Sequence, residues 1–271
     1  MPHRYFIRLS FKGANYHGWQ VQENAHTVQK ELDNALSNVF SERITTTGCG
    51  RTDTGVHATE FYAHFDSNNK NLEKELSSQS LHPSSFVIFK LNNCLPDDIA
   101  IQQIINVSNK AHARFDAISR TYQYFINRKK DPFIKDRAYY FYGDLDVDLM
   151  NSAAMVLFDH GDFSCFSKSG TQVKTNDCEI TRAEWVSSGL EHGAWGMGRN
   201  FELLVFTITA NRFLRGMVRA IVGTMIEIGR KKMTIDEFRK IIEGRKRSDA
   251  GYSVPACGLY LTKVMYPKEI L

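Results

Sequence analysis

The stretch best equipped for chemistry is Gly48-Cys49-Gly50-Arg51-Thr52-Asp53-Thr54-Gly55-Val56-His57-Ala58. Three glycines within eight residues let the backbone turn sharply and leave room for a ligand to come close. At the apex stand a cation and a carboxylate, Arg51 and Asp53, able to serve as anchor and as nucleophile or electrostatic stabiliser. The pattern is not a phosphate cradle, since neither G-x-G-x-x-G nor G-x-x-x-x-G-K-S/T occurs in it. Spacing alone fits equally well a tight turn in which Asp53 accepts backbone N–H groups. His57 invites reading as a general base, but a strand histidine more often only satisfies a hydrogen bond.

Further chemistry-bearing side chains lie downstream. Arg212, Arg215 and Arg219 are spaced to share one helix face, which reads either as a solvated basic stripe or as a set of phosphate contacts. Tyr122 and Tyr124 alternate with polar residues as on a strand. Either could pack in a core or stack on a planar substrate, and spacing does not separate them.

Elements to position these groups follow from periodicity. Tyr5 to Phe11 alternates as a strand, and Val28, Leu32, Ala35, Leu36, Val39 and Phe40 recur at helical spacing behind Thr27, a candidate N-cap. Strands are predicted around Phe61–Phe65, Phe86–Leu91, Tyr122–Ile126, Glu179–Val186, Phe201–Thr209 and Leu259–Met265. Helices are predicted around Leu149–Leu157 and over Phe213–Gly229. A further helix should start at a capping box formed by Thr234 and Glu237 and end near Gly244. Residues 66–80 read as a solvated loop and short helix. Strands and helices alternate with several short turns between strands, which favours an α+β fold with a mixed sheet. Two cycles of similar order suggest two halves, 1–110 carrying the Asp53 loop and 111–271 carrying the tyrosine and arginine motifs.

Composition narrows the function. The 271 residues are 42% hydrophobic with a net charge of +4. Residues 201–271 hold 13 Lys/Arg and 7 Asp/Glu, so this third is basic while the remainder is slightly acidic, as suits a polyanionic partner. Five cysteines without a C-x-x-C pair argue against a disulfide framework or a zinc site. No signal peptide and no run of 18 apolar residues is found, so a soluble, intracellular protein without a membrane partner is expected.

The whole string G-x-G-R-T-D-x-G-V-H-A resembles the catalytic motif of the TruA family of tRNA pseudouridine synthases. The resemblance continues through Gly18-Trp19-Gln20-x-Gln22, Thr27-Val28-Gln29, Leu95-Pro96-Asp97-Asp98-Ile99 and His112-Ala113-Arg114-Phe115. Arg120-x-Tyr122-x-Tyr124, Met217-Val218-Arg219-x-Ile221-Val222-Gly223 and Gly258-Leu259-Tyr260-Leu261 follow in order, so that it spans residues 4 to 267. Ala111 stands where the family usually has Phe, and Ser253-Val254-Pro255 where Thr-Ala-Pro is common.

This resemblance implies an α+β pseudouridine-synthase fold: two RRM-like halves sharing an extended, largely antiparallel mixed sheet, with the active-site cleft between them. It implies a cytoplasmic homodimer that isomerises uridines 38, 39 and 40 of the tRNA anticodon arm, with no cofactor and no metal. Asp53 would be the nucleophile, Arg219 its ion-pair partner, Tyr122 the ring stacked on the uracil, and Arg51 the wedge that occupies the space of the flipped nucleotide. Arg212 and Arg215 would contact phosphates. Two other classes remain open on residues alone. One is an RNA-binding protein without activity. The other is a glycoside or nucleoside hydrolase, which needs a second carboxylate, and Glu60 is the nearest downstream.

Overall fold

The computed structural model describes residues 2–70, 72, 80–81, 85–168, 175–189 and 202–271. In chain order the elements are strand β1 (His3–Phe11), helix α1 (Val28–Phe40), strands β2 (Thr47–Gly48), β3 (His57–Ser67) and β4 (Ser80–Leu81), helix α2 (Phe86–Cys94), and strands β5 (Ile99–Val107), β6 (Ser119–Asn127) and β7 (Tyr139–Tyr140). Then come helix α3 (Val147–Val156), strands β8 (Ile180–Gly189) and β9 (Glu202–Ala210), helices α4 (Met217–Gly229) and α5 (Ile235–Gly244), and strand β10 (Leu259–Met265). This is the mixed α+β class that the alternation of patterns predicts.

The chain forms two compact units, Met1–Arg120 with Leu261–Leu271, and Thr121–Tyr260. The sequence puts the break near residue 110, ahead of these bounds. Residues just past that point are tied to the first unit: Ala113 donates its N–H to His64 Nδ1 (3.1 Å), and Tyr266 donates its hydroxyl to the Ala113 carbonyl (2.6 Å).

In the first unit, β1 lies antiparallel between β3 and β5, with Ile7 opposite Ala63 on one side and Ile104 on the other. β4 extends the sheet beyond β5, β10 follows β3, and the short β2 also pairs with β3. α1 buries Val28, Leu32, Ala35, Leu36 and Phe40, the stripe its spacing predicts. Thr27 is its N-cap residue, but the side chain makes no capping bond. The helix instead starts on the carbonyls of Gly18 and Trp19, which accept N–H groups from Val28 (3.2 Å) and Gln29 (3.0 Å). The expected strand at Phe86–Leu91 is in fact helical. Its aromatic and β-branched residues suggested a strand, but Ser85 caps the Ile88 N–H, and Val87, Ile88 and Leu91 form a helical apolar face. β5 has no counterpart among the strands predicted from the sequence.

In the second unit β6, β9 and β8 run in that order, with β8 and β9 antiparallel and β7 parallel to β6. Trp185 stacks on Phe206 between β8 and β9 at 4.8 Å. α4 is buried almost all round. Near its end Gly229 lets Met150 of α3 approach so closely that a Cβ there would lie 2.6 Å from the Met150 sulfur. α5 begins at the predicted capping box, with both reciprocal bonds between Thr234 and Glu237 formed.

Candidate active site

Asp53 sits on the connection between the antiparallel strands β2 and β3, half-buried beside an exposed Arg51. Asp53 to Val56 is a β-turn closed by the Val56 N–H donating to the Asp53 carbonyl (3.2 Å), and Gly55 takes φ +80°. A positive φ at the third position of such a turn favours glycine, which accounts for the Asp-Thr-Gly order.

The surrounding backbone is packed against this turn. Gly18, at φ +85°, lies so near that a Cβ would come within 2.2 Å of the Thr52 carbonyl oxygen. Gly13 is as close to Val56, with a Cβ position 1.9 Å from its carbonyl oxygen. Gly55 donates its N–H to the Tyr16 carbonyl (3.2 Å). Tyr16 is anchored from behind: its hydroxyl donates to Asp98, whose other oxygen accepts from the Asn15 amide (3.0 Å). Burial, reinforced by the Asp98 carboxylate, pushes Tyr16 above the usual tyrosine range, so its hydroxyl stays a donor. Neither Tyr16 nor Asp98 is singled out by residue chemistry. The glycine spacing and the Leu-Pro-Asp-Asp-Ile string were the available signals.

Three groups that could compete for the chemistry are otherwise engaged. His57 is buried and accepts the Gly13 N–H at Nδ1 (3.1 Å), a structural role. Cys49 is buried, and burial pushes its thiol up to about 12, which removes it as a thiolate nucleophile. The Cys49 carbonyl accepts from the Arg120 guanidinium (2.8 Å), which also reaches the Arg114 carbonyl (2.7 Å). Glu60, the acid a hydrolase would need, pairs with Arg8 (2.9 Å) and accepts the Val264 N–H (2.9 Å).

Tyr122, Arg212, Arg215 and Arg219 belong to the second unit. Tyr122 is partly exposed and meets Phe213 edge to face at 5.1 Å. Tyr124 is fully buried, and its hydroxyl donates to the Pro255 carbonyl (2.8 Å). The two tyrosines are thereby told apart. Arg219 stands on the first turn of α4, partly buried, and its Nε donates to the Val254 carbonyl (2.7 Å). Val254 returns its N–H to the Arg219 carbonyl (3.2 Å). Residues 254 and 255 thus tie the Arg219 helix to the tyrosine strand. Gly223 makes this possible, because a Cβ there would lie 1.8 Å from the Tyr252 carbonyl oxygen.

The shared helix face expected for the three arginines does not form. α4 starts at Met217, after Gly216 in the left-handed region at φ +72°, so Arg212 and Arg215 precede the helix. Arg215 is exposed, and its carbonyl accepts the Lys168 N–H (2.9 Å). Arg212 reaches Thr175 at 3.4 Å. Among the described residues, no group of three His, Cys, Asp or Glu could hold a metal ion, and no helix is long and apolar enough to cross a membrane.

A family model described as tRNA pseudouridine synthase matches residues 153–267, a span that includes Arg219 but not Asp53 or Tyr122. Similarity to individual proteins is nearly full-length. The chain is 46% identical to the tRNA pseudouridine synthase A of Parabacteroides distasonis, over 98% of this chain and 97% of that one. It is 46% identical to the tRNA pseudouridine synthase A of Bacteroides thetaiotaomicron, over 98% and 92% of the two chains. With the protein of that name from Acetivibrio thermocellus it shares 36% identity over 95% and 97%.

Proposed function

This chain belongs to the tRNA pseudouridine synthase A family, and on that premise we propose that it isomerises uridines 38, 39 and 40 of the tRNA anticodon arm, with Asp53 as nucleophile. The observation that carries the role of Asp53 is its setting. It is a half-buried carboxylate on a turn held from several sides, and the contacts of Glu60, His57 and Cys49 are structural ones. A group so held keeps its orientation through the reaction.

The chemistry is redox-neutral and adds or removes no group. The N1–C1′ bond of uridine breaks, the uracil turns, C5 bonds to C1′, and the C5 proton is lost as N1 gains one. A nucleophile, a shaped pocket and a proton acceptor suffice, so the reaction calls for no cofactor and no metal. Asp53 either attacks C1′ or C6, or assists loss of the base by stabilising a cationic sugar. Tyr122 stacks on the uracil, and its hydroxyl can relay the C5 proton. Arg219 is assigned, on the motif resemblance, as the cation that keeps Asp53 ionised. Arg51, exposed on the same loop as Asp53, fills the space of the extruded nucleotide, and Arg212 and Arg215 contact phosphates. The enzyme in this reading is a cytoplasmic homodimer.

Asp53→Asn tests the central assignment, because the amide keeps the shape and loses the nucleophile. Tritium release from C5-labelled uridine in tRNA should fall by roughly 10⁴-fold or more, with tRNA affinity nearly unchanged. Activity within about tenfold of the wild type would remove Asp53 from the mechanism.

A further inference from the structure

Phe115 carries its ring into solvent, 74% exposed, yet the ring is backed. His112 lies against it with ring centroids 4.2 Å apart, and His112 in turn meets the buried His64 edge-on at 4.6 Å. The backbone beneath is pinned. His112 Nδ1 accepts the N–H groups of Arg114 (3.1 Å) and Phe115 (3.3 Å), and Asp116 accepts the His112 N–H (2.7 Å). The Arg114 guanidinium stands 5.7 Å from the centre of the Phe115 ring.

Burial does not explain a phenylalanine here, because most of its apolar surface remains in water. Its setting suits another use. A largely exposed planar ring, held by a second ring and with a guanidinium over it, is how proteins receive an unpaired nucleobase. The loop is also tied to the Asp53 loop. One guanidinium nitrogen of Arg120 donates both to the Arg114 carbonyl, next to Phe115, and to the Cys49 carbonyl, at the start of the Asp53 loop.

We propose that Phe115, backed by His112 and flanked by Arg114, is a stacking platform for an unpaired base of the RNA near the uridine being isomerised. This rests on the tRNA-modifying function set out above and adds a contact to it. Stacking is indifferent to base identity, since every base presents a π-face. Such a platform would hold the substrate without restricting which neighbouring base it carries, and Arg114 would add charge toward the adjoining phosphate.

The test compares wild type with Phe115→Ala, Phe115→Leu and Phe115→Trp. Affinity for an unmodified tRNA transcript, sedimentation and thermal melting are measured for each. Removing the ring should weaken binding by roughly tenfold or more in both the Ala and Leu variants, with melting unchanged because the side chain is exposed. Phe115→Trp should bind within about twofold of wild type, and its added fluorescence should be quenched on binding RNA. Full affinity in the Leu variant would overturn the proposal, since apolar contact alone would then suffice. Full affinity in the Ala variant would overturn it too, and a change in its sedimenting mass would assign the ring to a contact between protein chains. An Asp53→Asn enzyme that keeps its activity would defeat the catalytic reading instead, leaving the affinity comparison to decide the platform by itself.

Discussion

Tyr122 and Tyr124 lie two residues apart on one strand and so face the same side of it, yet only Tyr124 is buried. The strand runs from an accessible surface into the core between them. Their phenolic groups should therefore fail differently when removed. Tyr124→Phe leaves the Pro255 carbonyl without its donor, which should cost about 1–3 kcal/mol of stability. The single-turnover rate of the folded variant should stay near that of wild type. Tyr122→Phe keeps the ring and loses the hydroxyl proposed to relay the C5 proton, so RNA should still bind while pseudouridine forms much more slowly. Melting curves and single-turnover rates on the two variants decide the matter, and the reverse pattern would exchange their roles.

Glycine matters at the scale of elements because it lets backbone meet backbone. The Asp53 turn rests on the Gly13 to Trp19 segment, and the same segment supplies the carbonyls that start α1. Gly18→Ala must both strain a left-handed residue and push against the Thr52 carbonyl. We expect a lower melting temperature and a single-turnover rate reduced by roughly 10²-fold, the scale of loss when reacting groups shift by about an ångström. Gly50, in the same loop, has open space where its Cβ would stand. Gly50→Ala should melt like wild type, and equal melting losses in both variants would refute the packing argument.

The behaviour of the whole molecule in acid should depend on His64. Burial and the nearby Arg4 hold this imidazole at about 4, down from the ordinary 6.5. Between those values the unfolded chain binds a proton that the folded chain does not. The contribution of His64 therefore lowers stability progressively as pH falls from about 6.5 to 4. Asp33, raised by burial from 3.8 to about 6, acts with the opposite sign: its contribution favours the fold in acid and is lost as pH rises through that range. Comparing variants at one position cancels the Asp33 effect. In His64→Asn the amide oxygen can still accept the Ala113 N–H, and the proton-binding group is gone. Its melting temperature should fall less between pH 7 and pH 5 than that of wild type, and parallel curves would show that His64 does not set the acid limit.

Much of this protein is legible along the chain, because periodicity and spacing are local. The capping box at Thr234 and Glu237, the stripe of α1, strand β10 and the Asp-Thr-Gly-Val turn each depend on residues a few positions apart. The tertiary structure decided what depends on distant partners. It made Phe86–Cys94 a helix, because Val87, Ile88 and Leu91 are buried together on one face. It began α4 at Met217 and so parted Arg212 and Arg215 from Arg219. It separated Tyr122 from Tyr124 by burial, which the alternation of a strand cannot encode. It also joined Asp98 through Tyr16 to the Asp53 turn, and Arg120 to both Cys49 and Arg114. The Tyr16–Asp98 and Arg120–Cys49 bonds span 82 and 71 residues of sequence. Burial and long-range hydrogen bonds arise only when remote segments pack together, so no window along the chain contains them.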